Sequence, residues 1–222
     1  MGANYDLILT PANVPSTLDR HIHDFLLTRG LRVEAVSDLV TARISGDKVI
    51  LYSPPASCWL QVLGSCSAIG IELGTWFHCN PLAGYLSTQL AHCIHLWSLD
   101  SGFVAGYSIY TNGNKSECEC VFSVHARSTR EIIDGVPTPL SLPGQQLKSL
   151  LGHETDFASF IAQYEDLEIG VAALVARIGF KVHLVEYYNA IDDKQGSVIV
   201  GSNYEAIQLT GWTAIQFDNK AD

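Results

Sequence analysis

HCNPLAGYLSTQLAHCIHLW, His78 to Trp97, gathers three histidines and two cysteines into one short stretch. Read as a metal motif it would build a site; read as an amphipathic helix it would build a core. Asn80 is a good N-cap and Pro81 suits the first helical position. With Leu82 set at zero, Leu86 falls at ~40°, Leu90 at ~80°, Cys93 at ~20° and Trp97 at ~60° on a helical wheel. One stripe therefore carries all five, and Cys93 points inward as a small hydrophobe. His92 and His95 fall at ~280° and ~220°, on the solvent side. Two imidazoles three apart can share a cation, but a structural zinc needs four ligands and Cys93 lies on the opposite face. His78 and Cys79 precede the cap, and no HExxH pattern exists. The expectation is a helix running to Trp97, with no metal and no cofactor.

Downstream, FVAGYSIYTNGNKSECECVFSVH (Phe103–His125) is two alternating segments around Asn112-Gly113, the strongest hairpin signal in the chain. Upstream, YDLILT (Tyr5–Thr10) reads as a strand. STLDRHIHDFLLTRG then reads as a helix, with Ser16 as N-cap, Asp19 at N3, and Leu18, Ile22, Phe25 and Leu26 on one face. Gly30 ends it and LRVEAV (Leu31–Val36) returns as a strand. The start is thus a β–α–β unit. VTARI and KVILYS, CWLQVLG and AIGIELGTWF add further strands. Residues 127–143 hold Pro137, Pro139 and Pro143 and form a loop or a lobe boundary. GQQLKSLLG, DFASFIAQYED and EIGVAALVARIGF follow as helices, and KVHLVEYYNA, GSVIVGS and WTAIQF as strands. This order argues for an α+β fold with a largely antiparallel mixed sheet and three to five helices. One domain spanning 1–222 is favoured over two, because the last ~80 residues would make a thin core alone.

The formal net charge is -10, from 23 acids and 13 bases, and the acidity is spread along the chain. No Lys/Arg cluster offers phosphates a partner, which argues against nucleic acid and against anionic membranes. No apolar run is long enough to span a bilayer. The first residues lack the features of a signal peptide, and Asp6 breaks the myristoylation pattern. A cytoplasmic protein with six reduced cysteines is expected.

Sequence motifs for chemistry are sparse. On a strand, Cys118, Cys120 and Phe122 share one face, with Glu117 and Glu119 on the other. That spacing suits neither structural zinc nor a C-x-x-C redox pair. Cys58 and Cys66 could meet only across a loop. No nucleophile elbow, Walker loop or dinucleotide fingerprint occurs. Glu165, Asp166 and Glu168 crowd a helix start, where they complement its dipole. Asp192 and Asp193 sit in a turn.

Tyrosines offer more. Tyr107 and Tyr110 lie on one strand of the hairpin, and alternation puts Tyr187 and Tyr188 on opposite faces of another. LAGYLSTQLAHCIHLWSLDSGFVAGYSIYTNGNKSECE (Leu82–Glu119) resembles a pattern of uncharacterised bacterial proteins. In that pattern an amphipathic helix is followed by an acid, a YxxY step, a tight turn and an acidic strand. Asp100, Tyr107, Tyr110, Gly113 and Glu117 carry the resemblance, and VARIGF resembles the end of such chains; it implies no activity. Exposed tyrosines on an acidic surface suit a protein-binding face. The expected partner-binding residues are Asp100, Tyr107, Tyr110, Glu117, Tyr187 and Tyr188. The reading is a non-enzymatic acidic protein that binds a protein partner, of inhibitor or immunity type. The competing reading is an enzyme whose cysteine, histidine and acid residues assemble from distant positions.

Overall fold

The computed structural model describes residues 5–13, 15–38, 49–55, 58–64, 80–99, 104–123, 145–152, 156–177, 197–200, 205–208 and 211–219. The proposed strands VTARI, AIGIELGTWF and KVHLVEYYNA, the proline-rich segment, and Asp100, Tyr187 and Tyr188 lie outside these residues, as do His78, Cys79, Cys66, Asp192 and Asp193.

The opening strand β1 (Tyr5–Pro11) leads into helix α1 (Pro15–Thr28) and strand β2 (Leu31–Asp38). Strands β3 (Val49–Tyr52) and β4 (Trp59–Gly64) follow. Helix α2 (Pro81–Leu90) precedes strands β5 (His92–Leu99), β6 (Val104–Thr111) and β7 (Asn114–Phe122). Three helices come next, α3 (Gln145–Leu151), α4 (Phe157–Ile161) and α5 (Leu167–Arg177). Strands β8 (Ser197–Val200) and β9 (Glu205–Gln208) pair with each other, and β10 (Thr213–Asn219) joins the main sheet.

That sheet has eight strands in the order β2-β10-β3-β4-β1-β5-β6-β7, and every adjacent pair is antiparallel. Strands β1 and β2 consequently run parallel, with three strands between them. The N-terminal β–α–β unit is present, but α1 bridges the width of those intervening strands.

Helices cover both faces. Leu18, Ile22, Phe25 and Leu26 of α1, with Leu82, Leu86 and Leu90 of α2, pack on Ile8, Ile50, Val62, Cys93 and Ile215. On the other face Leu147, Phe157, Phe160, Ile161, Val171 and Val175 of α3–α5 pack on Leu7, Leu9, Ile94, Leu96, Tyr107 and Ile109. Each such aliphatic side chain contributes about 1.5–3 kcal/mol by leaving water. The Tyr52 hydroxyl donates to the Asp19 carboxylate and ties α1 to β3. Burial and that neighbouring carboxylate push the phenol up to about 12, so it remains a donor. Asp19 thus serves β3 rather than a capping box, and Ser16 lies inside the helix.

The helix expected to run to Trp97 stops at Leu90. Asn80 caps it as anticipated, accepting the Ala83 N–H at 3.0 Å. Ala91 then takes φ 71, and the chain turns back as a strand. Cys93 is buried as expected, but on β5. His95 is the correction: it is 1% exposed, because alternation on β5 puts it on the face of Cys93 and Trp97.

The hairpin forms at the expected place. Asn112 and Gly113 have φ 49 and 83, the left-handed pair that a two-residue turn between twisted strands requires. The turn rests on α2, with the Gly113 N–H donating to Ser87 Oγ at 2.8 Å and the Asn112 N–H to the Ala91 carbonyl. In the middle of the hairpin Trp97 faces Gly106 across the β5–β6 pair. A Cβ on Gly106 would lie 2.4 Å from Trp97 Cζ2 and 2.7 Å from the Glu119 carbonyl oxygen. Only glycine lets the indole lie that close to the strand.

Candidate functional site

The titratable residues that the fold draws together lie where β6 and β7 meet α3 and α4. Glu117 and Glu119 are two apart on β7 and share a face; Glu119 pairs with Tyr107, and Glu117 with Ile109. Between Ile109 and Tyr110 the register shifts, so that Ser116 is the extra residue on β7. The Ser116 hydroxyl lies 2.7 Å from Gln146 Oε1 on α3, and Gln146 Nε2 donates to Thr111 Oγ1 at 3.1 Å.

Glu117 is 4% exposed, and its charge is answered by three donors. The Tyr107 hydroxyl donates to Oε1 at 3.0 Å, the Leu147 N–H to the same oxygen at 3.0 Å, and the Gln146 N–H to Oε2 at 2.8 Å. The last two are first-turn amides of α3, which have no partner within a helix. Helix α3 carries no acid in its own first turn. A strand residue therefore supplies the anion that its N-terminus favours.

Next to it, Glu119 is half-buried, and its Oε2 is buried with no hydrogen-bond partner. Burial raises its pKa, the charges of Asp156 and Glu117 add to the rise, and a hydrogen bond with Tyr107 and the charge of Lys148 oppose it. Asp156 caps α4, accepting the Ser159 N–H at 2.8 Å, and that bonding holds its pKa below the ordinary value. Phe157, the next residue, meets the Tyr107 ring edge-on at 4.8 Å between centroids. Such a pair adds about 1 kcal/mol and fixes the phenol between the two glutamates.

Of the expected partner-binding residues, the structure brings Tyr107 and Glu117 together, but in the interior. Tyr110 is also buried and faces the opposite side of the sheet, where its hydroxyl accepts the Asn80 N–H at 2.9 Å. These three side chains are committed to internal contacts. The sequence placed Glu117 and Glu119 on one face of a strand, opposite Cys118, Cys120 and Phe122; α3 and α4 cover that face. Asp156, Gln146 and Lys148 were not singled out. The available signal was two same-face glutamates followed by a helix start, GQQLKS, with no acid of its own.

Other chemistry-bearing groups are distributed differently. His95 on β5, Ser108 on β6 and Cys118 on β7 form a row across three paired strands, all buried. Cys93 is deep in the core, and burial drives its thiol pKa far up, so it is no nucleophile. His92 is half-buried and its pKa is lowered by desolvation. Its ring meets Trp59 at 5.6 Å. Cys58 is an exposed free thiol and Cys93 a buried one. Among the described residues no three of His, Cys, Asp and Glu are placed to hold a metal ion, and no helix is long and apolar enough to cross a membrane.

Compared with known proteins, the chain matches no protein family, no curated protein and no solved structure.

Proposed function

We propose that the chain is an acidic, non-enzymatic protein of the cytoplasm that works by binding a partner protein through a negatively charged surface. The supporting observation is where the charge sits. Among the described residues Glu117 is the one buried acid, while the chain carries a net -10. The exposed acids among the described residues would favour a partner with a basic face. In a reducing compartment the six cysteines would remain thiols. An inhibitor or immunity role would use such a surface to cover a basic site on its target. With Tyr107, Tyr110 and Glu117 turned inward, binding falls to exposed acids and not to those three side chains.

Native mass spectrometry of the protein drawn gently from its own cells tests this directly. The expected species is a complex with a second, basic polypeptide, whose association slows as salt rises. Rates indifferent to salt, or a chain that is always alone, would count against it. An added metal or small molecule in the spectrum would instead move the enzyme reading forward.

A further inference from the structure

We propose that Asn112 is a deamidation site whose rate is set by helix α2, which holds the hairpin turn in a conformation that resists the reaction. Asn112-Gly113 is the only Asn-Gly step in the sequence, and both residues are exposed. The chemistry needs nothing beyond that step, base and water. The Gly113 backbone nitrogen gives up its hydrogen to base and attacks the carbonyl carbon of the Asn112 side chain. A new C–N bond closes a succinimide ring. The old C–N bond of the side-chain amide breaks, and its nitrogen takes up a proton and leaves as ammonia. Water then opens the ring at either carbonyl, leaving aspartate or isoaspartate where asparagine stood. Glycine favours the attack because it has no Cβ to crowd the nitrogen.

The contacts of the turn oppose that attack. Ring closure needs the Gly113 nitrogen and the Asn112 Cβ on the same side of the Asn112 Cα–C bond. In the left-handed region, where Asn112 sits at φ 49, they lie on opposite sides. The Gly113 N–H, whose hydrogen must leave, donates to Ser87 Oγ at 2.8 Å. Ser87 is fully buried, and its own hydroxyl donates to the Gly84 carbonyl at 2.8 Å, so the acceptor is fixed in place. The Asn112 N–H donates to the Ala91 carbonyl at 3.3 Å. A Cβ on Gly113 would lie 2.8 Å from Thr88 Cγ2, so α2 also presses on the turn sterically. Gly84, Ser87, Thr88 and Ala91 share one side of the helix by their spacing, and that side receives the turn.

Reaction therefore waits for the turn to lift from α2. Both N–H bonds must break, and Asn112 must rotate out of the left-handed region. Deamidation then records openings of this one contact, in a form that does not reverse. The two products differ in what they leave behind. Aspartate tolerates the left-handed region, so the turn survives with one more negative charge. Isoaspartate routes the backbone through the former side chain and adds a carbon between the two N–H groups. Their spacing then no longer matches Ala91 O and Ser87 Oγ, and α2 loses its hold on the hairpin. No partner protein enters this chemistry.

Peptide mass spectrometry of the full chain, incubated in mildly alkaline buffer, reads the conversion at Asn112. The folded chain should convert at least about tenfold more slowly than the same chain in guanidinium chloride, because two hydrogen bonds must open first. Ser87→Ala removes the acceptor of the Gly113 N–H and keeps a good helix former. It should speed conversion of the folded chain about fivefold, the worth of one hydrogen bond. Glu117→Ala weakens the cover on the opposite face of the sheet and should leave the rate at Asn112 unchanged. A folded rate equal to the rate in denaturant would overturn the proposal, and so would an S87A rate equal to that of wild type. An acceleration in E117A as large as in S87A would mean that the turn opens only with the whole chain, which overturns it as well. If E117A does not fold, the other two comparisons decide.

Discussion

Helix α2 and the α3–α4 pair cover opposite faces of the same three strands, β5 to β7, and they are attached by different chemistry. Amide, hydroxyl and backbone groups hold α2: Asn80 caps it, Tyr110 accepts from Asn80, and Ser87 accepts from Gly113. Carboxyl groups serve α3 and α4: Glu117 at one N-terminus and Asp156 at the other. One cover of the sheet thus rests on neutral polar groups and the other on ionisable ones. The difference arises from a few side chains, since both covers bury similar apolar rows.

The strongest way to break this contrast is Glu117→Ala. It leaves two helix amides and a phenol without their anion in a buried place, and should cost about 3 kcal/mol in denaturant unfolding. Hydrogen exchange should show α3 deprotected while α2 keeps its protection. Equal loss in both helices would mean that the two covers are not independent. Next in size is Gly106→Ala, at about 2 kcal/mol, because the new methyl meets the Trp97 ring and the Glu119 carbonyl. It strikes the shared sheet, so exchange should rise under both covers alike. Smallest is Tyr110→Phe, which removes the acceptor for the Asn80 N–H. Its cost should be about 1 kcal/mol and the same at mildly acidic and neutral pH, as thermal unfolding in two buffers would show. A pH-dependent cost would blur the line between the two covers.

Much of the fold was legible in the residues, and the misreading at His92–Trp97 has a physical cause. Residues four apart share a face in a helix and also in a strand, so Cys93 and Trp97 satisfy both patterns. A strand covered on both sides lacks the polar alternation that would have separated the two. The stop itself was silent, because Ala91 takes the positive φ that a glycine would have advertised. At the hairpin the signal was written in full, and Asn112-Gly113 turns as the pair predicts. The site was half legible. Alternation placed Glu117 beside Glu119, but whether that face meets water or helices depends on residues thirty positions away. The odd spacing of Tyr107 and Tyr110 already placed them on opposite faces; their common identity as tyrosines suggested one surface where there are two interiors.

One feature of the sheet bears on how the protein is made. Strand β10 lies between β2 and β3, and both of them pair with it. β2 therefore leaves the ribosome long before its only sheet neighbour among the described strands has been synthesised. At roughly 5–20 residues per second, that interval is on the order of ten seconds or more. During it Leu31, Val33 and Val36 and the unpaired edge of β3 are open to other chains. Closure of the sheet is then a late, long-range event rather than the sum of local hairpins.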